Sequence, residues 1–184
     1  GVGCALDAAT RGLDVLLVEQ KDFGSGTSSK STKLVHGGVR YLKQGNISLV
    51  REALRERGLL LANAPHVVHR QEFIVPCRNL FEKLFYGVGL KLYDVLAGKL
   101  SLGKSRFLSK TETLKRLPGI DPNKVAGGIS YWDGQFDDTR LLIDMAGTAD
   151  KYGACLANYL SVQSLVKDAD GSTVVELNDS IAND

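Results

Sequence analysis

The chain has 184 residues, 43% of them hydrophobic and 24% charged, with a formal net charge of +2. That is the composition of a folded globular protein rather than a disordered one, and so small a charge gives nucleic acid no footing. No apolar run reaches the length of a membrane span, no signal peptide opens the chain, and Cys4, Cys77 and Cys155 fit no metal or redox spacing, so they read as reduced core or near-core thiols in a reducing compartment.

Residues 2–11 predict a short helix whose inner face carries Ala5, Ala8 and Ala9, small enough to lie close on a sheet, with Gly12 as its cap. The apolar run 15–18 predicts a strand buried on both faces of a parallel sheet, closed by Glu19. Residues 27–42 then read Thr-Ser-Ser-Lys-Ser-Thr-Lys-Leu-Val-His-Gly-Gly-Val-Arg-Tyr-Leu. Hydroxyls, glycines and cations with few bulky apolar side chains make a poor core element. They suit a polyphosphate, to which hydroxyls and bare amides donate without filling its space.

Beyond this loop, Leu49, Val50, Ala53, Leu54 and Leu61 recur at helical spacing, Arg51, Glu52, Arg55, Glu56 and Arg57 fill the outer face, and Pro65 stops the helix. Residues 72–75 predict a short strand ahead of Pro76. Residues 80–96 predict a second helix, whose Phe81, Leu84, Phe85, Val88, Leu92 and Val95 are expected to pack on the chain's own core. The alternative is a helix in a membrane interface, anchored by Lys83, Lys91 and Lys99.

Ser109-Lys110-Thr111-Glu112 is a capping box for a short helix ending at Pro118-Gly119. Residues 125–132 predict a strand that meets an Asp133-Gly134 turn, and Leu141, Leu142, Met145, Ala146 and Ala149 a third long helix capped by Gly153. A strand over 154–166 and a turn at 168–171 into 173–177 complete the chain. The order implies a nucleotide-binding domain interrupted by a second domain and then resumed. Opening on Gly1 inside a motif and closing without a completed element, the sequence reads as a piece of a longer protein.

A dinucleotide fingerprint is G-x-G-x-x-G between strand and helix, with an acidic residue about 20 positions on. Gly1 and Gly3 fail as its first two glycines, because Leu6 stands where the third is required; as the last glycine and a follower they fit, and Glu19 falls where a ribose-binding carboxylate belongs. An ordinary helix–strand pair with a glycine start fits too. His36 is a structural histidine or a functional one, the latter favoured by Gly37-Gly38, which let a flat ring approach the backbone. Arg40 is a solvated charge or, with Tyr41, a clamp for phosphate or carboxylate. His66 and His69 have no partner at metal spacing and read as structural; no metal site is expected.

The chain closely resembles the FAD-dependent glycerol-3-phosphate dehydrogenases over nearly its whole length. The likeness lies in residues 1–12, Val18-Glu19, Gly26-Thr27-Ser28-Ser29, residues 31–42, Glu52-Ala53-Leu54, Glu56-Arg57, Ala64-Pro65-His66, Lys91-Leu92-Tyr93-Asp94, Tyr131-Trp132-Asp133-Gly134-Gln135 and Asp137-Asp138-Thr139-Arg140. The resemblance implies an α/β fold: an FAD-binding Rossmann-like domain of glutathione-reductase or DAO-like type, interleaved with an α+β substrate domain and incomplete. Expected limits are 1–70 for the first part of the FAD domain, 71–138 for the substrate domain and 139–184 for the return.

By the same resemblance Glu19 holds the adenosine ribose and Gly1 and Gly3 lie under the pyrophosphate. Thr27, Ser28 and Ser29 donate to the pyrophosphate, and Ser31 and Lys33 join the cofactor site. His36, Gly37 and Gly38 line the flavin, Arg40 and Tyr41 bind the substrate phosphate, and Val162 meets adenine. His36 is the candidate catalytic residue, as the base that takes the hydroxyl proton or as a group that polarises the flavin.

The implied reaction oxidises sn-glycerol 3-phosphate to dihydroxyacetone phosphate and passes electrons from FAD to a quinone. The alternatives are an oxidase using oxygen and a nucleotide-binding module without catalysis. A homodimer and a peripheral membrane contact are the further partners considered, at the mitochondrial inner membrane or, in a bacterium, the cytoplasmic face of the inner membrane. Residues 43–48 look closer to the bacterial members than to the mitochondrial ones. The missing surroundings of the piece imply that alone it does not retain FAD.

Overall fold

The computed structural model describes residues 1–182. Its elements are α1 (Val2–Thr10), β1 (Leu16–Glu19), a 3-10 turn (Thr27–Ser29), β2 (Leu34–Val35), α2 (Val39–Lys43), α3 (Ile47–Asn63), β3 (Val68–Cys77), α4 (Leu80–Ala97), β4 (Arg106–Leu108), α5 (Lys110–Arg116), β5 (Gly127–Phe136), α6 (Asp138–Lys151), β6 (Cys155–Asn158), β7 (Leu160–Lys167) and β8 (Thr173–Asp179), with further 3-10 turns at Gly98–Leu100 and Pro122–Lys124. The chain divides into two compact units, one made of Gly1–Thr32 with Asp137–Asp184 and the other of Lys33–Phe136.

In the first unit β1 and β6 pair in parallel, Leu16 opposite Cys155 through Glu19 opposite Asn158. Helices α1 and α6 each precede one of these strands and pack together through alanines. Ala9, Ala149 and Ala154 form the buried core, with Leu6, Val15 and Leu156 against it. Two findings differ from expectation here. β1 is not buried on both faces, for Leu16 is 60% exposed in a pair of strands that has no further neighbour among the described residues. The strand expected over 154–166 breaks at Tyr159, whose φ of 61° cannot continue a strand, and restarts as β7, which forms a hairpin with β8.

The second unit is an antiparallel sheet in the order β2-β5-β3, with β4 also on β5. Its long strand corrects a predicted turn. β5 runs straight through Asp133-Gly134, with Asp133 opposite Gln71 and Gly134 opposite both Arg70 and Val35. β3 is longer than expected and contains Pro76, which the outer position of β3 accommodates because no neighbour needs the missing N–H. Residues 33–70 pack with this unit rather than with the first, because β2 and β3 both pair with β5 and α3 packs on α4.

Asn79 caps α4 by accepting from the Glu82 N–H at 2.8 Å. The face of α4 turned inward is Gly87, Leu90, Tyr93 and Ala97. The broad apolar face expected to pack on the chain's own core is instead exposed at Phe81, Leu84, Phe85, Val88, Leu92 and Val95. The Ser109–Glu112 capping box is present as expected, whereas of the three cysteines expected in or near the core Cys77 is buried and Cys4 and Cys155 are exposed.

Candidate functional site

In the second unit the short strand β2 leads into His36-Gly37-Gly38 and then into α2, which carries Arg40 and Tyr41. Gly38 is the N-cap of α2 in the left-handed region, φ 68° and ψ 52°, which turns the chain sharply from strand to helix at little steric cost. Gly37 is buried, and a Cβ there would stand 2.5 Å from Leu54 Cδ2 and 2.6 Å from Tyr93 Oη. No larger residue fits without displacing the side chains of Leu54 and Tyr93.

His36, Gly38 and Arg40 line one cavity of about 290 Å³ together with Leu34, Val39, Phe73, Tyr131 and Asp133. Its volume suits a small molecule. The Gly38 N–H donates to His36 Nδ1 at 3.0 Å. An Nδ1 that accepts leaves the neutral ring's proton on Nε2, so His36 is a donor with its other nitrogen. Arg40 is exposed and makes no side-chain hydrogen bond or ion pair with the described residues, which leaves its five N–H groups available. The Tyr131 hydroxyl is pushed up to about 12, first by burial and then by the charge of Asp133, so it stays protonated. Tyr41 does not line the cavity; its ring lies beside Gly38.

Beneath this cavity lies a buried polar cluster that local sequence pattern did not reveal. Arg57 Nη1 donates to Asp133 Oδ1 at 2.7 Å, with the two side chains only 1% and 3% exposed. Tyr93 Oη donates to Asp133, 2.9 Å from Oδ1 and 3.0 Å from Oδ2, and accepts the Gly37 N–H at 2.7 Å. Arg57 was expected on the charged outer face of its helix, and Asp133 in a turn. Each reading fails because its partner is 76 residues away in sequence.

The first unit holds the residues expected around the cofactor's adenosine and pyrophosphate. Gly1 is the N-cap of α1, which has no side-chain cap and no acidic residue in its first turn; Gly3 lies in that turn. The positive end of the helix is therefore open to an anion. Glu19 sits at the C-terminal end of β1, half-buried, and its Oε1 accepts the Lys21 N–H at 3.0 Å. Such strand ends are where nucleotides bind in parallel sheets. Thr27 and Ser28 are exposed in the 3-10 turn, whereas Ser29 Oγ donates to Gly24 O at 2.5 Å.

Ser31 donates through its N–H and its hydroxyl to Asp138 Oδ2, at 3.1 and 2.7 Å, so in this structure it ties the loop to α6. Val162 is exposed on β7. Lys33 belongs to the second unit. Its backbone has φ 59°, and its carbonyl accepts the Phe136 N–H at 3.0 Å. A glycine-headed helix with no acid in its first turn, a strand-end carboxylate and exposed hydroxyls form a donor and acceptor set that fits FAD.

A family model described as FAD dependent oxidoreductase matches residues 1–183. The chain belongs to the FAD-dependent oxidoreductases. Among relatives of this flavoprotein family, the mitochondrial glycerol-3-phosphate dehydrogenase of Bos taurus is 47% identical over 180 residues, covering 94% of this chain and 25% of that protein. The mitochondrial enzyme of Saccharomyces cerevisiae is 44% identical over 182 residues, covering 95% of this chain and 28% of that one. The X-ray structure of glycerol-3-phosphate dehydrogenase from Bacillus halodurans, complexed with FAD, superposes with a TM-score of 0.69 at 32% identity, over 99% of this chain and 29% of that chain.

This flavoprotein chain thus spans about a quarter of the length of the mitochondrial relative from Bos taurus. Over the matched residues the identity to these mitochondrial relatives is 47% and 44%, and to the Bacillus halodurans protein 32%. The FAD-bound L-alpha-glycerophosphate oxidase of Mycoplasma pneumoniae, 21% identical with a TM-score of 0.65, shares the fold. No helix among the described residues is long and apolar enough to cross a membrane.

Proposed function

We propose that the whole protein oxidises sn-glycerol 3-phosphate at C2 to dihydroxyacetone phosphate and passes the electrons to a membrane quinone. The observation that carries this reading is 47% identity to named glycerol-3-phosphate dehydrogenases over 94% of the chain, joined to one cavity that holds His36 and Arg40. FAD, when bound, supplies the acceptor for the hydride that leaves C2. In the first unit Gly1 and Gly3 leave the α1 terminus open to the pyrophosphate, Thr27, Ser28, Ser29, Ser31 and Lys33 are the further cofactor ligands proposed, Glu19 accepts from the ribose hydroxyls, and Val162 meets adenine.

In the second unit Arg40 takes the substrate phosphate with planar, charge-assisted hydrogen bonds, and Tyr41 assists at the mouth. His36, Gly37 and Gly38 are the segment proposed to line the flavin. His36 is the proposed catalytic residue in the role of donor. With Nδ1 engaged by Gly38, its Nε2–H stabilises negative charge on the C2 oxygen as the hydroxyl proton passes to a water molecule.

Peripheral contact with a membrane suits a quinone acceptor. The exposed apolar face of α4, beside Lys83, Lys91 and Lys99, is the surface that fits it. The address is then the mitochondrial inner membrane or, in a bacterium, the cytoplasmic face of the inner membrane; a homodimer is the proposed assembly. The test uses the whole purified flavoprotein without oxygen. Glycerol 3-phosphate should bleach its visible absorbance and a short-chain quinone should restore it. A flavin that stays oxidised with this substrate overturns the reading, and reoxidation by oxygen but not by quinone replaces the acceptor.

A further inference from the structure

A buried ion pair with an open cavity above it is an expensive way to hold a core together, because desolvation offsets most of the attraction and well-packed apolar side chains do as well. Directionality is what such a group supplies. Asp133 as a carboxylate only accepts, so the Tyr93 hydroxyl turns its proton toward it, and Arg57 balances the charge from the other side. The Tyr93 lone pair is then left for one donor, the Gly37 N–H at 2.7 Å. Burial first, and then the charge of Asp133, raises the Tyr93 phenol far above its ordinary range, so this polarity holds at every physiological pH.

The members come from three separate elements. Arg57 stands on α3, where it also donates to Trp132 O at 3.2 Å; Tyr93 stands on the inward face of α4, and Asp133 on the long strand β5. What they hold is the peptide unit that joins His36 to Gly37, an approach open to Tyr93 Oη because position 37 has no Cβ. On one side of that peptide is the imidazole that bonds Gly38, and on the other is the turn that launches α2 with Arg40.

We propose that Arg57, Asp133 and Tyr93 are positioning residues: a hydrogen-bond chain whose donors converge on Asp133, which fixes the Gly37 N–H and thereby sets where His36 and Arg40 stand in the cavity. The inference rests on the glycerol-3-phosphate reading for what His36 and Arg40 do, and on the geometry alone for what the chain holds. Displacing a reacting group by as little as an ångström costs about 100-fold in rate. Such a chain is therefore worth its buried charges if it removes that slack.

The experiment compares the whole flavoprotein with Tyr93→Phe, which keeps the ring and its packing and deletes only the oxygen, and with Asp133→Asn as a second break in the chain. Amide hydrogen exchange of peptides covering 36–40 is measured beside kcat and KM per bound flavin, FAD content and Tm. The expected result is exchange at 36–40 at least tenfold faster, kcat per bound flavin lower by about 10- to 100-fold, and FAD content near wild type. Wild-type exchange at 36–40 in Tyr93→Phe overturns the proposal. So does faster exchange with unchanged kinetics per flavin, which would make the cluster merely structural. A wild-type flavoprotein inert toward glycerol 3-phosphate sinks the functional reading instead, and the exchange rates then decide alone whether the chain holds the peptide.

Discussion

Replacing Arg40 by alanine separates phosphate recognition from flavin binding. Arg40 lines the cavity, makes no ion pair with the described residues and is exposed, so its removal leaves no buried partner stranded. The loss should therefore reflect the contact to substrate alone. A charge-assisted clamp on a dianion costs about 2–5 kcal/mol when truncated, and exposure screens this one toward the lower end. About 2–3 kcal/mol corresponds to roughly a 30- to 150-fold fall in kcat/KM for glycerol 3-phosphate. Arg40→Lys keeps the charge without the planar fork and should recover only part of it. The assay is steady-state reduction of a quinone analogue by the whole flavoprotein, normalised to bound FAD. Glycerol, which lacks the phosphate, is the control: a poor substrate for wild type that hardly notices the change. Wild-type kcat/KM toward glycerol 3-phosphate in Arg40→Ala, or loss of flavin in its place, refutes the assignment.

His36→Gln preserves a side-chain donor and should keep more activity than His36→Ala, whereas equal losses, with the pH–rate profile losing its limb in both, would make His36 a base. Glu19→Ala should weaken FAD retention during gel filtration while the flavin-loaded fraction keeps its kcat. Asp138→Ala removes the two bonds that Ser31 donates to its carboxylate and should lower unfolding stability by about 1–3 kcal/mol in a urea titration. In alkali, Tyr131 holds its proton to about pH 12 in the folded chain while the unfolded phenol loses it near 10. The folded state therefore binds more protons in that window, stability falls as pH rises through it, and Tyr131→Phe should flatten the fall.

Much of the fold was legible because it is written in local pattern. The alanines of α1, the Ser109–Glu112 box, the apolar spacing of α3 and α6 and the turn before β8 each specify an element from neighbours within a few residues. The glycines and hydroxyls of 27–42 were legible as chemistry for the same reason: such a run excludes a core role. Where Tyr159 interrupts a strand, by contrast, nothing local marks it, because its positive φ is imposed by the crossover from the parallel pair to the hairpin.

The polar cluster under the cavity was illegible for a deeper reason. Arg57 sits among charged residues on α3 and reads as one more solvated side chain, yet it is 1% exposed; Asp133-Gly134 has the composition of a tight turn, yet it continues a ladder. Each violates its local rule, and the two violations meet in one ion pair, with Tyr93 bridging Asp133 and the Gly37 amide. Sites where local expectation and tertiary structure disagree are where function is to be sought, since a chain retains buried charge only against some other requirement. Here that requirement is geometric. The segment that carries His36 and Arg40 consists of two glycines and a short helix, too little to fix its own conformation, and its rigidity is borrowed from α3, α4 and β5.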